Sequence, residues 1–453
     1  MLHPSPTREE LVYRLVLVSP DSRCVLAQHD GPGISLPRVS IPKWTRPAAE
    51  IQKTISIEWG LSIIVLDFLK DAENRPSCVV AQLLLPQHLE RLKFVAFDRF
   101  PASELTDSGR ATVEAICASD AGDRGSFSRI GWIDEAMEWI SEEAGREVQF
   151  TGEIEQHNAS GTFALIRFAT QGGPAYWLKA TGEPNLHEFD ITAMLAAICP
   201  KYLPPLVAMR RDWNAWVMED AGDSLDQQVS VPVLERAIVS MAGLQKKTVG
   251  YTEQLLGSGA TDQRIAVLRG HVDEIISYLE EAMEQQTSTK VPRLRVSRLR
   301  EIGTMLKDAC GAMEELGIPE TIIHNDINRG NILVRDNACV FTDWCEAYTG
   351  NPFVTFQHLM LLLPSNGDHA EADHFKLMHA YKQCWLDSLV PWQIDQAFAL
   401  IPLLAVASYF YGRGGWLRSA RRYDPHMQSY ARSLARHMDR AAQIPSLMEA
   451  LCH

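Results

Sequence analysis

The sequence predicts an α+β protein with a β-rich lobe followed by a helical lobe, preceded by a small α/β domain. Three observations carry this. Residues 150–225 hold short apolar strands joined by turns such as Asn158-Ala159-Ser160-Gly161 and Gln171-Gly172-Gly173, whereas residues 226–453 are mostly helical by period. Inside that helical part, Thr321 to Pro352 (TIIHNDINRGNILVRDNACVFTDWCEAYTGNP) inserts strand-length apolar runs between polar loops. Residues 1–118 place strands around one helix, and the polar stretch Ser119–Ser126 follows as the best boundary in the chain. The expected division is therefore 1–118, a linker and hinge helix at 119–149, a small lobe at 150–225 and a large lobe at 226–453.

At 453 residues the chain exceeds one ordinary domain, and 46% hydrophobic residues suffice for large cores. A formal charge of −14 speaks against a general nucleic-acid binder. Nine dispersed cysteines without a C-x-x-C pair suggest reduced thiols, a cytoplasmic location and no zinc site. The start, MLHPSPTREE, has no apolar core for a secretory signal. The longest apolar stretch, Ala397 to Tyr411, is broken by Pro402 and reads as a buried helix rather than a membrane span.

In chain order, Leu11–Val18 and Cys24–Ala27 read as strands about a Pro-Asp-Ser turn. A helix follows over Ala48–Trp59, stopped by Gly60, and then strands over Ser62–Leu69, Ser77–Leu85 and Lys93–Phe100. Ile133–Ala144 is predicted helical with Gly145 as its stop, serving as a hinge. Hairpin strands follow at Phe150–Gln156, Thr162–Phe168 and Ala175–Ala180. Lys179 lies in the last of these, and an ammonium in an apolar strand needs a partner. Glu188, on a helix beginning near Asn185, is the candidate; an N-cap box with Asn185 is its other use, and the two are compatible. Beyond Leu225 helices run to Met313, with breaks at Gly257-Ser258-Gly259, near Ser288 and at Pro292, and more follow Pro352.

Within the central stretch, His324, Asp326, Asn331 and Asp343 stand at the ends of the predicted strands, with Asp336-Asn337 as the turn between the last two. Single Asp or Asn residues in loops are usually turn formers. The spacing H-x-D-x-x-x-x-N, then a hairpin, then D, is that of a phosphoryl-transfer site. There one Asp orients the attacking hydroxyl while an Asn and a second Asp hold Mg²⁺. His324 is read as bracing the loop, with proton relay as the alternative, since Asp326 fills the base position.

HNDINRGN resembles the H-G-D-x-x-x-x-N loop of aminoglycoside phosphotransferase-type small-molecule kinases, and TDWCEAYTGNP resembles their I-D-W-x-x-x-x-x-G-D-P segment. The resemblance covers about residues 150 to 440 and implies a bilobal protein-kinase-like fold using ATP, or another nucleoside triphosphate, and Mg²⁺. It implies Lys179 on the phosphates with Glu188 bracing it, and a nucleotide-covering turn at Ser160 and Gly161, for which an ordinary hairpin turn is the alternative. It also implies an adenine lining along Trp216-Val217-Met218-Glu219-Asp220-Ala221-Gly222, in particular Met218, Glu219 and Ala221. Asn351 departs from the Asp of G-D-P; helix capping by Asn351 or Thr355 is the expected substitute. His324 is followed by Asn325, not Arg, and eight residues separate Asp343 from Pro352, which leaves no room for a long activation loop. The acceptor is therefore expected to be a hydroxyl on a small molecule. The alternative is a catalytically silent nucleotide-binding or regulatory protein. The cluster Arg413, Arg418, Arg421 and Arg422 is read as a solvated basic turn, with contact to an anionic substrate as the alternative.

The first domain resembles a Nudix domain, with KTISIEWGL where that family has R-E-U-x-E-E-x-G-U. Thr54 and Ile57 occupy two of its glutamate positions, Thr45 the upstream one, and only Glu58 remains. Diphosphate hydrolysis needs several carboxylates on one helix to hold metal, so a non-catalytic module is expected.

Overall fold

The computed structural model describes residues 9–452 except 21–23, 31–32, 70–76, 85–91, 102, 119–123, 228, 337, 361, 363–369 and 413–419. The core of the expected linker, most of the Pro-Asp-Ser turn, Asn337, and Arg413 and Arg418 thus lie outside the described residues. By packing, the chain divides into two units, Met1–Phe189 with Pro205–Asp220, and Asp190–Pro204 with Ala221–His453.

The first unit opens with β1 (Glu10–Val18), β2 (Cys24–Asp30), β3 (Gly33–Ser35), β4 (Arg38–Pro42) and α1 (Pro47–Trp59). Then come β5 (Ile63–Leu69), β6 (Ser77–Leu83), β7 (Leu92–Ala96), α2 (Asp107–Cys117) and α3 (Trp132–Glu143). These strands form one seven-stranded mixed sheet of order β3-β2-β1-β6-β5, with β4 also on β1 and β7 also on β2. The β1–β6 pair is parallel, with Leu15 opposite Val79. A parallel central pair is covered on both faces. Tyr13, Leu15 and Leu17 accordingly pack with Ala48, Ile51 and Ile55 of α1, while Val16 and Val18 join α2 and α3. Gly60 ends α1 at φ +67°, its N–H donating to the Ser56 carbonyl at 3.0 Å, a left-handed cap that glycine adopts without strain.

The structure adds α2, which sequence patterning passed over. Its N-cap is Thr106, whose Oγ1 accepts from Gly109 N–H, and only Val113 and Ile116 of its residues are buried. The expected hinge helix is α3, one face of which belongs to the core. Trp132, Ile133, Ala136 and Ile140 are buried, and Phe127 meets Trp132 and Trp213 edge-on at 5.0 and 5.5 Å.

The same unit holds a five-stranded antiparallel sheet, β11-β12-β10-β9-β8. Its strands are β8 (Phe150–Ala159), β9 (Ala164–Thr170), β10 (Tyr176–Ala180), β11 (Leu206–Arg210) and β12 (Ala215–Glu219), with α4 (Glu188–Ile198) between β10 and β11. The helix expected near Asn185 thus starts at Glu188, because turns occupy residues 183–187. Ile166, Phe168, Tyr176, Leu178 and Val217 of this sheet share one apolar core with the α2–α3 face of the first sheet.

The second unit is mainly helical. It begins with β13 (Asp223–Ser224), α5 (Val231–Thr248), α6 (Thr252–Gly257), β14 (Thr261–Asp262), α7 (Ile265–Gly270), α8 (Val272–Glu284) and α9 (Val296–Glu315). Four short strands follow, β15 (Thr321–Ile323), β16 (Ile332–Arg335), β17 (Ala338–Phe341) and β18 (Tyr348–Gly350). The chain closes with α10 (Phe353–Met360), α11 (Ala370–Gln383), α12 (Pro391–Gly412), α13 (Pro425–Ala441) and α14 (Pro445–Leu451). Its strands make two small sheets, β13-β16-β17 and β14-β18-β15. Helix α12, 22 residues with Pro402 inside, is long and apolar enough to cross a membrane by length and composition. In the structure it is a core helix, burying Ile394, Leu400, Leu404 and Phe410 among α9, α10, α13 and α14.

Candidate active site

The predicted residues fall into two groups, one in each unit. In the second unit, β15 delivers His324, Asn325 and Asp326 at its C-terminal end. The β16–β17 hairpin, turned at Asp336 with φ +54°, delivers Asn331 before it and Asp343 after it. Ile322 and Ile323, both fully buried, anchor the strand, and the Ile322 N–H donates to Thr248 Oγ1 of α5 at 3.2 Å. Burying these side chains anchors the loop that follows.

Asp326 is half-buried, with two amides against it. Asn331 Nδ2 donates to the Asp326 carbonyl at 2.9 Å and lies 3.4 Å from Oδ2; Asn328 Nδ2 lies 3.3 Å from both atoms. Asn328 in turn accepts from Gly330 N–H at 2.9 Å, capping the turn that presents Asn331. The Asn331 carbonyl accepts from Thr342 N–H at 3.0 Å, which ties this turn to the residue before Asp343. Asn325 and Asp343 adopt left-handed φ of 49° and 69°, a region Asn and Asp tolerate better than other side chains. Such conformations concentrate at functional loops.

His324 is fully buried. Burial pushes its imidazole below the usual range, so it is neutral, and its Nε2 lies 2.7 Å from the Thr342 carbonyl. A carbonyl only accepts, so Nε2 carries the proton; Nδ1 has no hydrogen-bond partner among the described residues. The ring also contacts Trp344, centroids 4.5 Å apart. These contacts join the Asp326 loop to the Asp343 loop, which is a bracing geometry.

Asn331 Nδ2 is spent on Asp326, which leaves its Oδ1, and Asp343 carries a carboxylate. Hard oxygen donors of this kind suit Mg²⁺. The donor chemistry of these two side chains is thus of the type that ion takes.

In the first unit, Lys179 of β10 meets Glu188 at the start of α4, Nζ to Oε1 2.6 Å. The side chains are 14% and 1% exposed, and Lys179 also lies 5.7 Å from the Trp216 ring centroid. A pair this buried is held by strand and helix together, and removing one partner would leave the other charge stranded. Met218 and Ala221 are buried. Glu219 N–H donates to the Pro205 carbonyl and its carboxylate pairs with Arg146 at 2.7 Å. The chain passes from the first unit to the second at Asp220–Ala221. Ser160 and Gly161 form the β8–β9 turn, with Ser160 Oγ accepting from Phe163 N–H at 3.0 Å.

Two further positions resolve. Asn351 is buried and its Oδ1 accepts from Phe353 N–H at 3.0 Å at the start of α10, a capping contact. Arg422 is no solvated turn residue: it pairs with Glu281, and Tyr278 Oη donates to its carbonyl at 3.2 Å. At Arg422 a structural anchor replaces the solvated residue expected there, whereas Arg421 is exposed.

Several supporting residues escaped the sequence reading. Gln245 of α5 is fully buried and its Nε2 donates to Thr355 Oγ1 at 2.9 Å and the Pro352 carbonyl at 3.2 Å; Tyr381 Oη donates to Gln245 Oε1 at 2.7 Å. Asn328 was hidden by its ordinary role as a loop residue. The signal for Gln245 and Thr248 was a polar residue on the apolar face of a helix.

No protein-family model matches the chain, and no curated protein matches its sequence. Its structural neighbours are small-molecule phosphotransferases and kinases. The macrolide 2'-phosphotransferase MphH of Brachybacterium faecium aligns at 15% identity over 66% of this chain and 98% of its own, with TM-score 0.40. A choline/ethanolamine kinase family protein of Mesorhizobium loti aligns at 14% identity over 71% and 98%, with TM-score 0.41. A spectinomycin phosphotransferase, solved with ADP and spectinomycin, aligns at 11% over 70% and 97%, with TM-score 0.39.

Proposed function

We propose that this chain is a protein-kinase-like phosphotransferase that moves the γ-phosphate of ATP, or another nucleoside triphosphate, to a hydroxyl of a small molecule. The observation that carries the reading is the Asp326 loop. A half-buried carboxylate is held by two amides, Asn328 and Asn331, on a strand braced by a neutral histidine. Asp326 is the group that orients the acceptor hydroxyl and takes its proton. Asn331 and Asp343 are the residues that would hold Mg²⁺, which when bound neutralises charge on the phosphates. Lys179, kept extended by Glu188, would pair with the α- and β-phosphates. Ser160 and Gly161, with Met218, Glu219 and Ala221, complete the nucleotide contacts in this proposal.

The N-terminal sheet and α1 are proposed as a Nudix-like module without hydrolytic activity. Nine free thiols suit a reducing compartment, in keeping with a cytoplasmic protein. The deciding experiment is a screen of hydroxylated metabolites and antibiotics read by ADP release, repeated with Asp326→Asn. Turnover lost in the variant supports the assignment. Mg-ATP binding without turnover on any acceptor would leave a silent nucleotide binder.

A further inference from the structure

The β8–β9 turn is packed from outside its own hairpin. Phe127 N–H donates to the Gly161 carbonyl at 3.0 Å. A Cβ on Gly161 would lie 1.7 Å from the Arg124 carbonyl oxygen and 2.6 Å from Ser128 Oγ, and one on Gly125 would lie 2.3 Å from the Gly161 oxygen. Gly125 has φ +98°, but Gly161 is outside the left-handed region. Gly161 therefore lacks a side chain because Arg124–Ser128 lies on it, not because its backbone demands glycine. That segment is itself anchored. Phe127 is buried against Trp132 and Trp213, and Ser128 Oγ donates to the Leu66 carbonyl of β5 at 3.3 Å.

The grip continues along β8, the edge strand of its sheet. Gln52 of α1 occupies two of its outward backbone groups, donating to the Ile154 carbonyl at 2.8 Å and accepting from Gln156 N–H at 3.0 Å. The Gln156 side chain, 1% exposed, returns the contact. It accepts from Val65 N–H and donates to the Val65 carbonyl, both at 2.8 Å. A glutamine with donor and acceptor both satisfied in a buried setting specifies one arrangement.

We infer that the N-terminal domain and the linker segment after it clamp the β8–β9 hairpin, fixing the Ser160–Gly161 turn through Arg124–Ser128 and the Gln52–Gln156–Val65 contacts. A turn held in advance gives up less conformational freedom on meeting a ligand. The consequence for nucleotide binding rests on the function proposed above, whereas the clamp itself does not.

The test is hydrogen exchange on the full chain, comparing wild type with Gly161→Ala and, separately, Gln52→Leu. In Gly161→Ala, exchange in residues 124–128 and 160–163 is expected to rise together, on the order of tenfold. In Gln52→Leu, Gln156 N–H is expected to accelerate with its fold otherwise retained, and this variant carries the test should Gly161→Ala not fold. Unchanged exchange at the turn in the first variant and at Gln156 in the second overturns the clamp. Melting shifts with Mg-ATP separate the two readings. A smaller shift in Gly161→Ala than in wild type supports a clamp serving the nucleotide. Equal shifts, with exchange raised, overturn that service. No shift in wild type removes the phosphotransfer reading, while the exchange data still decide the clamp.

Discussion

Asp326 and Asp343 are both carboxylates on loops after strands, and the proposed mechanism gives them different tasks. Asp326 is surrounded by amide donors, and Asp343 follows Thr342, whose carbonyl His324 contacts. Asp326→Asn is expected to lower kcat by between about 10²- and 10⁴-fold while leaving Mg-ATP affinity near wild type. Asp343→Asn is expected to weaken Mg-ATP binding itself, read by titration calorimetry. Equal turnover in wild type and the Asp326 variant would sink the mechanism. Glu320, just before β15, gives a second residue-scale expectation. It lines a cavity of about 440 Å³ with Arg264, Ile265, Met313 and Asn351, and burial pushes its carboxyl up to about 7; Asp262 and Glu314 also raise it, while Arg264 and the Ile265 N–H oppose the rise. An acid raised on folding favours its protonated form in the native state. Its contribution is complete below about 4.5 and is lost as pH rises through about 7. Glu320→Gln should therefore be more stable than wild type at pH 8 by up to ~3 kcal/mol, at about 1.4 kcal/mol for each pH unit between the two values. At pH 4 the two should be equal. Urea unfolding at both pH values reads the difference, and a gap that does not change with pH would refute it.

At the scale of elements, α5 is the helix that braces β15. Thr248 Oγ1 takes the Ile322 N–H and Gln245 holds the Pro352 carbonyl, so the two ends of the central stretch are tied to one helix. Gln245→Leu is close in size but strands the Thr355 hydroxyl in a dry site and takes one of two acceptors from the Tyr381 hydroxyl, which keeps the Pro352 carbonyl at 2.9 Å. An orphaned buried group of this kind costs about 1–3 kcal/mol, so a loss of about 1–3 kcal/mol is expected in urea. Destabilisation below about 0.5 kcal/mol, the range of ordinary surface changes, would show that the network does not brace the segment.

For the whole molecule, a ligand that binds only the folded state raises the melting temperature by mass action. Mg-ATP at millimolar concentration is expected to raise it, and Asp343→Asn to reduce the increase. The N-terminal domain is expected to contribute no diphosphate hydrolysis. On α1 the only acidic residues are Glu50 and Glu58, eight positions apart, about 12 Å along a helix, so they cannot share an ion. Glu50 instead lines a cavity of about 550 Å³ with Lys43, Lys53 and an exposed Trp44. Glu9 also lines it but is spent on Lys43, at 2.5 Å. Nucleoside diphosphate derivatives offered to the full chain in an Asp326→Asn background should release no phosphate with Mg²⁺ or Mn²⁺. Release that Glu58→Gln abolishes would make the protein bifunctional.

Features under local chemical control are readable from the chain alone. The stop of α1 at Gly60, the three hairpin strands and the turn at Asp336 follow from backbone preferences within a few residues. The Lys179–Glu188 pair was legible for a related reason: its members are nine positions apart, and a lone ammonium in an apolar strand demands a partner close by. The spacing of Asp326, Asn331 and Asp343 was readable too, since one short loop and one hairpin set it. Tertiary structure decided the rest. Helix α2 shows little of itself in sequence because only Val113 and Ile116 are buried. Gln52 and Gln156 lie 104 positions apart, and Gln245 and Tyr381 lie 136 apart. A glutamine looks the same in sequence whether water or a distant backbone satisfies it. Only folding brings the partner near and removes the water, and that makes the contact matter.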